Sequence, residues 1–164
     1  MSRKVKYTAA AILCTALLSG CNSGGCLDNQ SALPKAQLYN SQGEAISVDS
    51  LQIRGVGAPG DSVLEQGRLS TFYLPMRSDA GVTSWEVAYL RKEQNPTGVC
   101  DTIEFSYRSI PYFESADCGA TFRYLVTQVN TTHHFIEDVV MTDSLITNVD
   151  RTYINIILRT ADEQ

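Results

Sequence analysis

The sequence is poor in the residues on which several classes of function depend. Only two of its 164 residues are histidines, His133 and His134, and 13 basic residues face 18 acidic ones. The formal charge of −5 argues against a nucleic-acid-binding protein, which needs basic patches. Two adjacent histidines are too few for a metal enzyme built on histidine ligands. We therefore expect no nucleic acid among the partners and no metal site.

Signatures of catalysis are also lacking. No Gly-x-Ser-x-Gly elbow occurs, and the glycine-rich segment Gly55–Gly60 contains Pro59 and precedes no predicted helix, so it is interpreted as a loop. Cys100 has no histidine near it in the sequence that could activate its thiol. The sequence thus predicts a protein that is not an enzyme, with no catalytic residue and no cofactor.

The first twenty residues have the order of an export signal. A basic start containing Arg3 precedes an apolar run over residues 8–18, which has the length of a secretory signal core and is too short for a membrane span. The run ends in Leu-Ser-Gly followed by Cys21, similar to a bacterial lipobox, in which the cysteine is acylated with chains such as palmitate. We predict a lipoprotein signal peptide over residues 1–20, lipidation of Cys21, a lipidated tether over 21–32 and one domain over 33–164.

Most of the remaining chain alternates apolar and polar residues with a period of two, which is typical of half-buried strands. The alternation is clearest where Ile103, Phe105 and Tyr107 share one face, and no segment has the pattern of a capped amphipathic helix. Strands are predicted at Ala36–Tyr39, Ala45–Ile53, Leu69–Leu74, Val82–Leu90, Asp101–Arg108, Phe122–Val126, Phe135–Met141 and Ile154–Leu158. This pattern predicts an all-β fold, an antiparallel β-sandwich of about seven or eight strands that is immunoglobulin-like, with a small β-barrel as the alternative.

Three cysteines follow the lipidated one, an odd number for an oxidising compartment. If the strand after Cys100 forms a hairpin with residues 121–129, the hairpin centre lies near residues 114–115, and Cys100 is too far from Cys118 to be bridged. Cys26 precedes the first strand and can reach Cys118. We therefore predict a Cys26–Cys118 disulfide, with Cys100 left as a thiol.

Several short motifs together resemble a known family. They are the lipobox, Cys26-Leu-Asp-Asn, the segment Phe72–Met76, the segment Pro111–Gly119 and the closing Tyr153-Ile-Asn-Ile. The family consists of uncharacterised Bacteroidota outer-membrane lipoproteins, in which the early cysteine and the cysteine of the Asp-Cys motif occur together. The resemblance implies a location at the outer membrane, agrees with the disulfide prediction and implies no reaction.

A triplet of Asp, Ser or Thr, and an aliphatic residue occurs four times, against roughly 0.7 expected from the composition. The triplet resembles the O-glycosylation acceptor of Bacteroidota periplasmic and surface proteins. The same residues also arise where a turn opens into a strand, and both interpretations stay open. The candidate acceptors are Ser50, Ser62, Thr102 and Ser144.

Two functions from different classes are compatible with these observations. The first is a non-enzymatic accessory or protein-binding module, tethered to the outer membrane by its N-terminal lipid and contacting an outer-membrane protein. The second is a small-ligand or glycan-binding lipoprotein. The uncharged stretch Asn22–Gly25 after the lipidated cysteine, which lacks both an adjacent Asp and an acidic run, predicts an outer-membrane lipoprotein that faces the periplasm.

Overall fold

A computed structural model describes residues 32–58, 60, 62–90, 98–115 and 118–159. In these ranges the chain forms ten strands and no helix, and so it has there no helix long and apolar enough to cross a membrane. The strands are β1 (Lys35–Asn40), β2 (Val48–Gly55), β3 (Val63–Leu69), β4 (Thr71–Tyr73), β5 (Val82–Tyr89), β6 (Cys100–Ser115), β7 (Gly119–Thr131), β8 (Ile136–Met141), β9 (Leu145–Ile146) and β10 (Thr152–Leu158).

The period-two alternation predicts the buried face of the main strands correctly. In β5, Trp85 and Val87 are buried and the residues between them are half-buried. In β6, Ile103, Phe105 and Tyr107 are buried in the same way. Because successive side chains of a strand point to opposite sides of the sheet, each strand offers one apolar face to the core.

The strands form two sheets, one with four strands in the order β4-β1-β10-β8 and one with six in the order β3-β2-β5-β6-β7-β9. The all-β prediction is confirmed. One of the two sheets curls into half of a barrel, which is consistent with both predicted alternatives, a β-sandwich and a small barrel. The sheets are not wholly antiparallel, because β1 and β10 pair in parallel. The strand count exceeds the predicted seven or eight, and the strand order differs from that of an immunoglobulin sandwich.

Fully buried side chains from both sheets make up the core. Leu38, Ile154 and Ile156 come from the four-stranded sheet, and Ile53 and Phe105 come from the six-stranded sheet. Each fully buried aliphatic side chain stabilises the fold by about 1.5–3 kcal/mol relative to an exposed one. The parallel pair of β1 and β10 lies within this core layer, so the two ends of the described chain are joined side by side.

The longest element is the hairpin of β6 and β7, which continues well past its neighbours. β5 pairs with β6 only as far as Ser106, and β9 pairs with β7 only at Tyr124 and Leu125. In the described part of the chain, residues 110–115 and 119–123 therefore pair only with each other. We call this two-stranded extension the arm; Cys118 lies at its tip.

Candidate interaction surface

The arm has two faces that follow from its register. Ser109 lies opposite Tyr124, Pro111 opposite Phe122 and Phe113 opposite Ala120, so these six side chains share the face that continues from the core. We call this the inner face. The outer face carries Ile110 opposite Arg123 and Tyr112 opposite Thr121, and it continues through Leu125 to its partner Leu145 on β9.

Large apolar side chains are exposed on both faces of the arm. On the inner face Phe113 is 65% exposed and Phe122 is 38% exposed. On the outer face Ile110 and Leu145 are exposed to a similar extent as Phe122. Single exposed apolar residues are common on protein surfaces, but a cluster on one projecting element is typical of an interaction site.

An aromatic pair fixes the base of the arm to the domain. The rings of Tyr107 and Tyr124 pack edge to face with their centroids 5.4 Å apart. The hydroxyl of Tyr107 accepts a hydrogen bond from the backbone N–H of Arg77 and donates one to its carbonyl, at 3.0 and 2.9 Å. The hydroxyl of Tyr124 donates to the carbonyl of Met76 at 3.2 Å. The arm therefore projects from a base that the loop after β4 holds in place.

The outer face is stiffened by a cation–π contact. The guanidinium carbon of Arg123 lies 3.3 Å from the centroid of the Tyr112 ring. Arg123 faces Ile110 across the hairpin, and Tyr112 lies two pairs nearer the tip on the same face, so the contact runs diagonally between the two strands. Such a contact stabilises by about 0.5–1 kcal/mol where it is exposed.

The two described cysteines lie at opposite ends of β6 and β7. Cys118 is disulfide-bonded, and its partner lies outside the described residues. Its backbone N–H donates to Ser115 Oγ at 3.0 Å, which closes the tip. Cys100 is free and starts β6 at the far end from the tip. Cys21 and Cys26 both lie outside the described residues, so the lipidation and the Cys26–Cys118 pairing stay predictions.

Cys100 lies in an environment that suppresses its reactivity. Burial raises the pKa of its thiol, and a hydrogen bond with Glu86 raises it further. A raised pKa keeps the thiol protonated, whereas a nucleophilic cysteine needs the thiolate. Glu86 also pairs with Arg54. These two residues line an open depression of about 230 Å³ whose other walls are the turn residues 55–57.

The sequence analysis missed the most completely hydrogen-bonded side chain of the described fold. Asp101 is fully buried, and its carboxylate accepts hydrogen bonds from Thr132 Oγ1 at 2.6 Å and from His134 through both its backbone N–H and Nδ1 at 2.9 Å. It also accepts from the backbone N–H groups of Phe135 and Ile136 at 2.8 Å. The apolar–polar alternation of this strand could have indicated its burial, because it places residue 101 on the same buried face as residues 103, 105 and 107.

The two histidines therefore make contacts that are structural: His134 binds this carboxylate, and His133 contacts the backbone at the start of β8. His134 is exposed beyond its contact with Asp101, and His133 Nδ1 lies 3.3 Å from the carbonyl of Ile136. The described part of the chain contains no group of three or more residues placed to hold a metal ion. The arrangement ties β6 to the connection between β7 and β8, which is a structural role.

The four predicted glycosylation acceptors lie in different settings. Ser62 and Ser144 are exposed at the starts of strands. Thr102 is inside the six-stranded sheet, opposite Glu86 of β5. Ser50 is a half-buried residue of β2 with φ of 60°, next to the fully buried Leu51.

One triplet shows the local chemistry of a turn that opens into a strand. Asp143 Oδ1 accepts a hydrogen bond from the backbone N–H of Leu145 at 2.9 Å, so the side chain imitates a backbone turn at the start of β9. This geometry accounts for the triplet at Ser144 without a modification.

Together these features define an all-β domain of two curved sheets with a projecting hairpin and no recognisable catalytic group among the described residues. Residues 50–158, about two thirds of the chain, match a family described as a family of unknown function, DUF6452. The chain belongs to this family. No curated protein and no solved structure matches it.

Proposed function

We propose that this protein is a non-enzymatic, lipid-anchored module of the cell envelope that binds another envelope protein through the outer face of the arm. The observation that carries the proposal is an apolar row in which the exposed Ile110 of the arm and the exposed Leu145 of β9 flank the half-buried Leu125, at the base by which the arm is fixed to the domain. A fixed projecting surface loses little conformational entropy on binding, which favours association.

The form of the surface favours a protein over a small molecule. The row lies on a sheet face, and beyond Tyr107, whose N–H donates to the carbonyl of Gly81, the free edge of β6 has no strand beside it among the described residues. An extended partner segment can add to such an edge through backbone hydrogen bonds. Small-ligand sites are concave and mostly apolar. The depression beside Arg54 and Glu86 is open and lined by an ion pair, and Trp85 is buried, so neither offers a platform for a glycan.

The proposed anchor places the partner in or near the same membrane. We propose cleavage after residue 20, acylation of Cys21, residence at the outer membrane and a domain that faces the periplasm. The stretch Asn22–Gly25 spans about 13–14 Å when fully extended. The domain therefore stays close to the bilayer, where its partner is expected to be an outer-membrane protein.

The proposed disulfide joins Cys26 to Cys118. Cys100 is free, and the chain contains no cysteine other than Cys14, Cys21 and Cys26 that could bond to Cys118. Removal of the signal takes away Cys14, and acylation occupies the thiol of Cys21. Cys26 is left as the partner. The closed loop of about 90 residues stabilises the fold by roughly 4–5 kcal/mol if chain entropy dominates.

Site-specific photo-cross-linking in the native envelope tests the binding proposal. A photoreactive amino acid at Ile110 is expected to give one discrete heavier product containing a second envelope protein. The matched control is position 90, because Leu90 is 48% exposed and follows β5 at the end of the sheet opposite the arm. Equal products from positions 110 and 90, or none from position 110, would contradict the proposal.

Metabolic labelling tests the anchor independently. Cells fed an alkyne analogue of palmitate are expected to label the wild-type protein and not a Cys21→Ala variant. Protease treatment of intact cells is expected to spare the protein as it spares a periplasmic marker. Rapid loss of the protein under these conditions would place it on the outer surface instead.

A further inference from the structure

The outer face of the arm carries two arginines that form no ion pair among the described residues. Arg108 is exposed and Arg123 is half-buried. Elsewhere in the described part of the chain, every basic side chain except that of Arg159, the last described residue, pairs with a carboxylate. The paired ones are Lys35, Arg54, Arg68, Arg77 and Arg151. In a chain with more acidic than basic residues, two unpaired arginines on one face are a local excess of positive charge.

The two positive charges lie on either side of an apolar side chain. Arg108, Ile110 and Tyr112 are alternate residues of β6 and share the outer face. The guanidinium carbon of Arg123 lies 3.3 Å from the centroid of the Tyr112 ring, so its charge is at the level of Tyr112. Alternate residues of a strand are about 7 Å apart. The outer face of β6 therefore presents a cation, an apolar side chain and a second cation at regular intervals.

Arg123 is already oriented in the free protein. Its ring contact with Tyr112 fixes the guanidinium, and its Nε is buried without a hydrogen-bond partner among the described residues. A side chain that is fixed before binding loses little conformational entropy when it binds an anion. Guanidinium groups are also weakly hydrated and match the geometry of a carboxylate, which suits them to ion pairs at interfaces.

We propose that the outer face of the arm binds an extended acidic segment of the partner, in which two carboxylates flank an apolar side chain. An extended segment repeats its side chains on one face about every 7 Å, the same interval as that of Arg108, Ile110 and Tyr112. One carboxylate pairs with Arg108 and the other with Arg123, while the apolar side chain contacts Ile110. The inference rests on the proposed function and adds the chemistry of the partner.

The spacing of the charges favours a peptide over a lipid headgroup. Arg108 and the guanidinium bound at Tyr112 are four residues apart along β6, about 14 Å. One phosphate group would have to contact both at hydrogen-bond distances of about 2.7–2.9 Å, and Ile110 lies between them. Nearer the tip, Glu114 is exposed and acidic, which opposes contact of the arm with an anionic bilayer.

Photo-cross-linking from position 110 in the native envelope tests this chemistry. We expect mass spectrometry of the product to identify a partner peptide with Asp or Glu within about two residues on each side of the attachment point. Combining the photoreactive residue with Arg108→Glu is expected to lower the yield by about tenfold or more, because like charges then face each other. Arg108→Lys should keep most of the yield, since it keeps the charge.

The matched control is Arg159→Glu, which reverses the charge of another exposed arginine that has no ion pair among the described residues and lies outside the arm. It should leave the yield within about twofold of the unaltered protein. The identity of the partner peptide is read without any charge variant, so this readout does not depend on how well Arg108→Glu folds.

Two results would overturn the inference and leave the binding proposal intact. One is a protein product with the same yield in Arg108→Glu as in the unaltered protein, and the other is a partner peptide that has no acidic residue near the attachment point. A phospholipid adduct at position 110, or no product at all, would overturn the inference and the binding proposal together. Failure of the acidic chemistry and failure of the binding proposal are therefore distinguishable.

Discussion

The carboxylate of Asp101 accepts hydrogen bonds from residues that follow it by 31 to 35 positions. Three of the donors are consecutive backbone N–H groups in the turn into β8. Without the carboxylate, these N–H groups would need acceptors from a neighbouring strand. A buried carboxylate is costly unless it is fully hydrogen-bonded, and here it is. The side chain therefore determines how the chain passes from the six-stranded sheet to the four-stranded sheet.

Replacing this carboxylate is expected to destabilise the fold strongly. In an Asp101→Asn variant the amide nitrogen faces N–H donors and leaves them without an acceptor, which is expected to lower the free energy of unfolding by about 3 kcal/mol. Urea unfolding followed by circular dichroism measures the change. The matched control Glu137→Gln, at an exposed position of β8, should stay within about 0.5 kcal/mol of wild type. A loss below about 1 kcal/mol for Asp101→Asn would contradict this role.

The same group makes stability depend on pH in a defined direction. Burial raises the pKa of Asp101, but the hydrogen bonds from Thr132 and from the N–H groups of His134, Ile136 and Phe135 outweigh it, so the pKa lies below its ordinary value. A carboxyl group with a lowered pKa stabilises the fold above its unfolded-state pKa of about 3.9. This stabilisation is lost as the pH falls through that value and then through the folded-state pKa.

Urea unfolding between neutral pH and about pH 3 measures this dependence. The free energy of unfolding of the wild type is expected to fall more steeply below about pH 5 than that of Asp101→Asn, which has no carboxyl group to titrate. Glu137→Gln should follow the wild-type curve. Parallel curves for wild type and Asp101→Asn would show that Asp101 is not responsible.

At the scale of elements, the base of the arm depends on one hydroxyl. Tyr107 connects β6 to the loop before β5 through both backbone groups of Arg77, and its hydroxyl lies 2.6 Å from Thr83 Oγ1. Tyr107→Phe is expected to cost about 1–2 kcal/mol of stability and to speed amide exchange in residues 77–81. Hydrogen exchange read by mass spectrometry measures the local effect. Tyr112→Phe, on the outer face, should leave exchange in that loop unchanged; equal effects would contradict the anchoring role.

Strands with one buried face could be predicted from the sequence, and the others could not. The alternation of Ile103, Phe105 and Tyr107 predicts the position of β6. Past Tyr107 the strand leaves the core, so the apolar–polar pattern no longer shows where the strand ends. β3 buries no side chain completely, and β9 has only two residues. The hairpin centre lies at about residue 117, two or three residues beyond the predicted position, because β7 continues to Thr131 and pairs there with Ile103.

The candidate surface was predictable only in part. The separation of Cys100 from Cys118 could be predicted, because any hairpin register near the observed one places these two residues at opposite ends of the hairpin. The exposure of Phe113 and Ile110 could not be predicted from the sequence, because it depends on how far β5 and β9 extend beside the hairpin. The buried Asp101 was missed because an Asp-Thr-Ile triplet was interpreted as surface chemistry.

The whole molecule combines a two-sheet domain and a projecting arm, to which the proposed function adds a short lipid tether. The acidic charge of the chain disfavours flat binding to an anionic membrane surface, so the proposed lipid and the arm provide the membrane-proximal contacts. The proposed partner in the same membrane would meet the outer face of the arm at high effective concentration, because both proteins would be confined to one surface.

Native gel electrophoresis of mildly solubilised envelopes tests this account most directly. We expect wild-type protein to migrate with a larger complex, and an Ile110→Asp variant to migrate alone while keeping the β-type circular dichroism of the folded domain. A Leu90→Asp control, at the opposite end of the sheet, should keep the complex. A complex that persists unchanged in Ile110→Asp, or wild-type protein that migrates as a free monomer, would contradict the claim that the arm is a protein-binding surface.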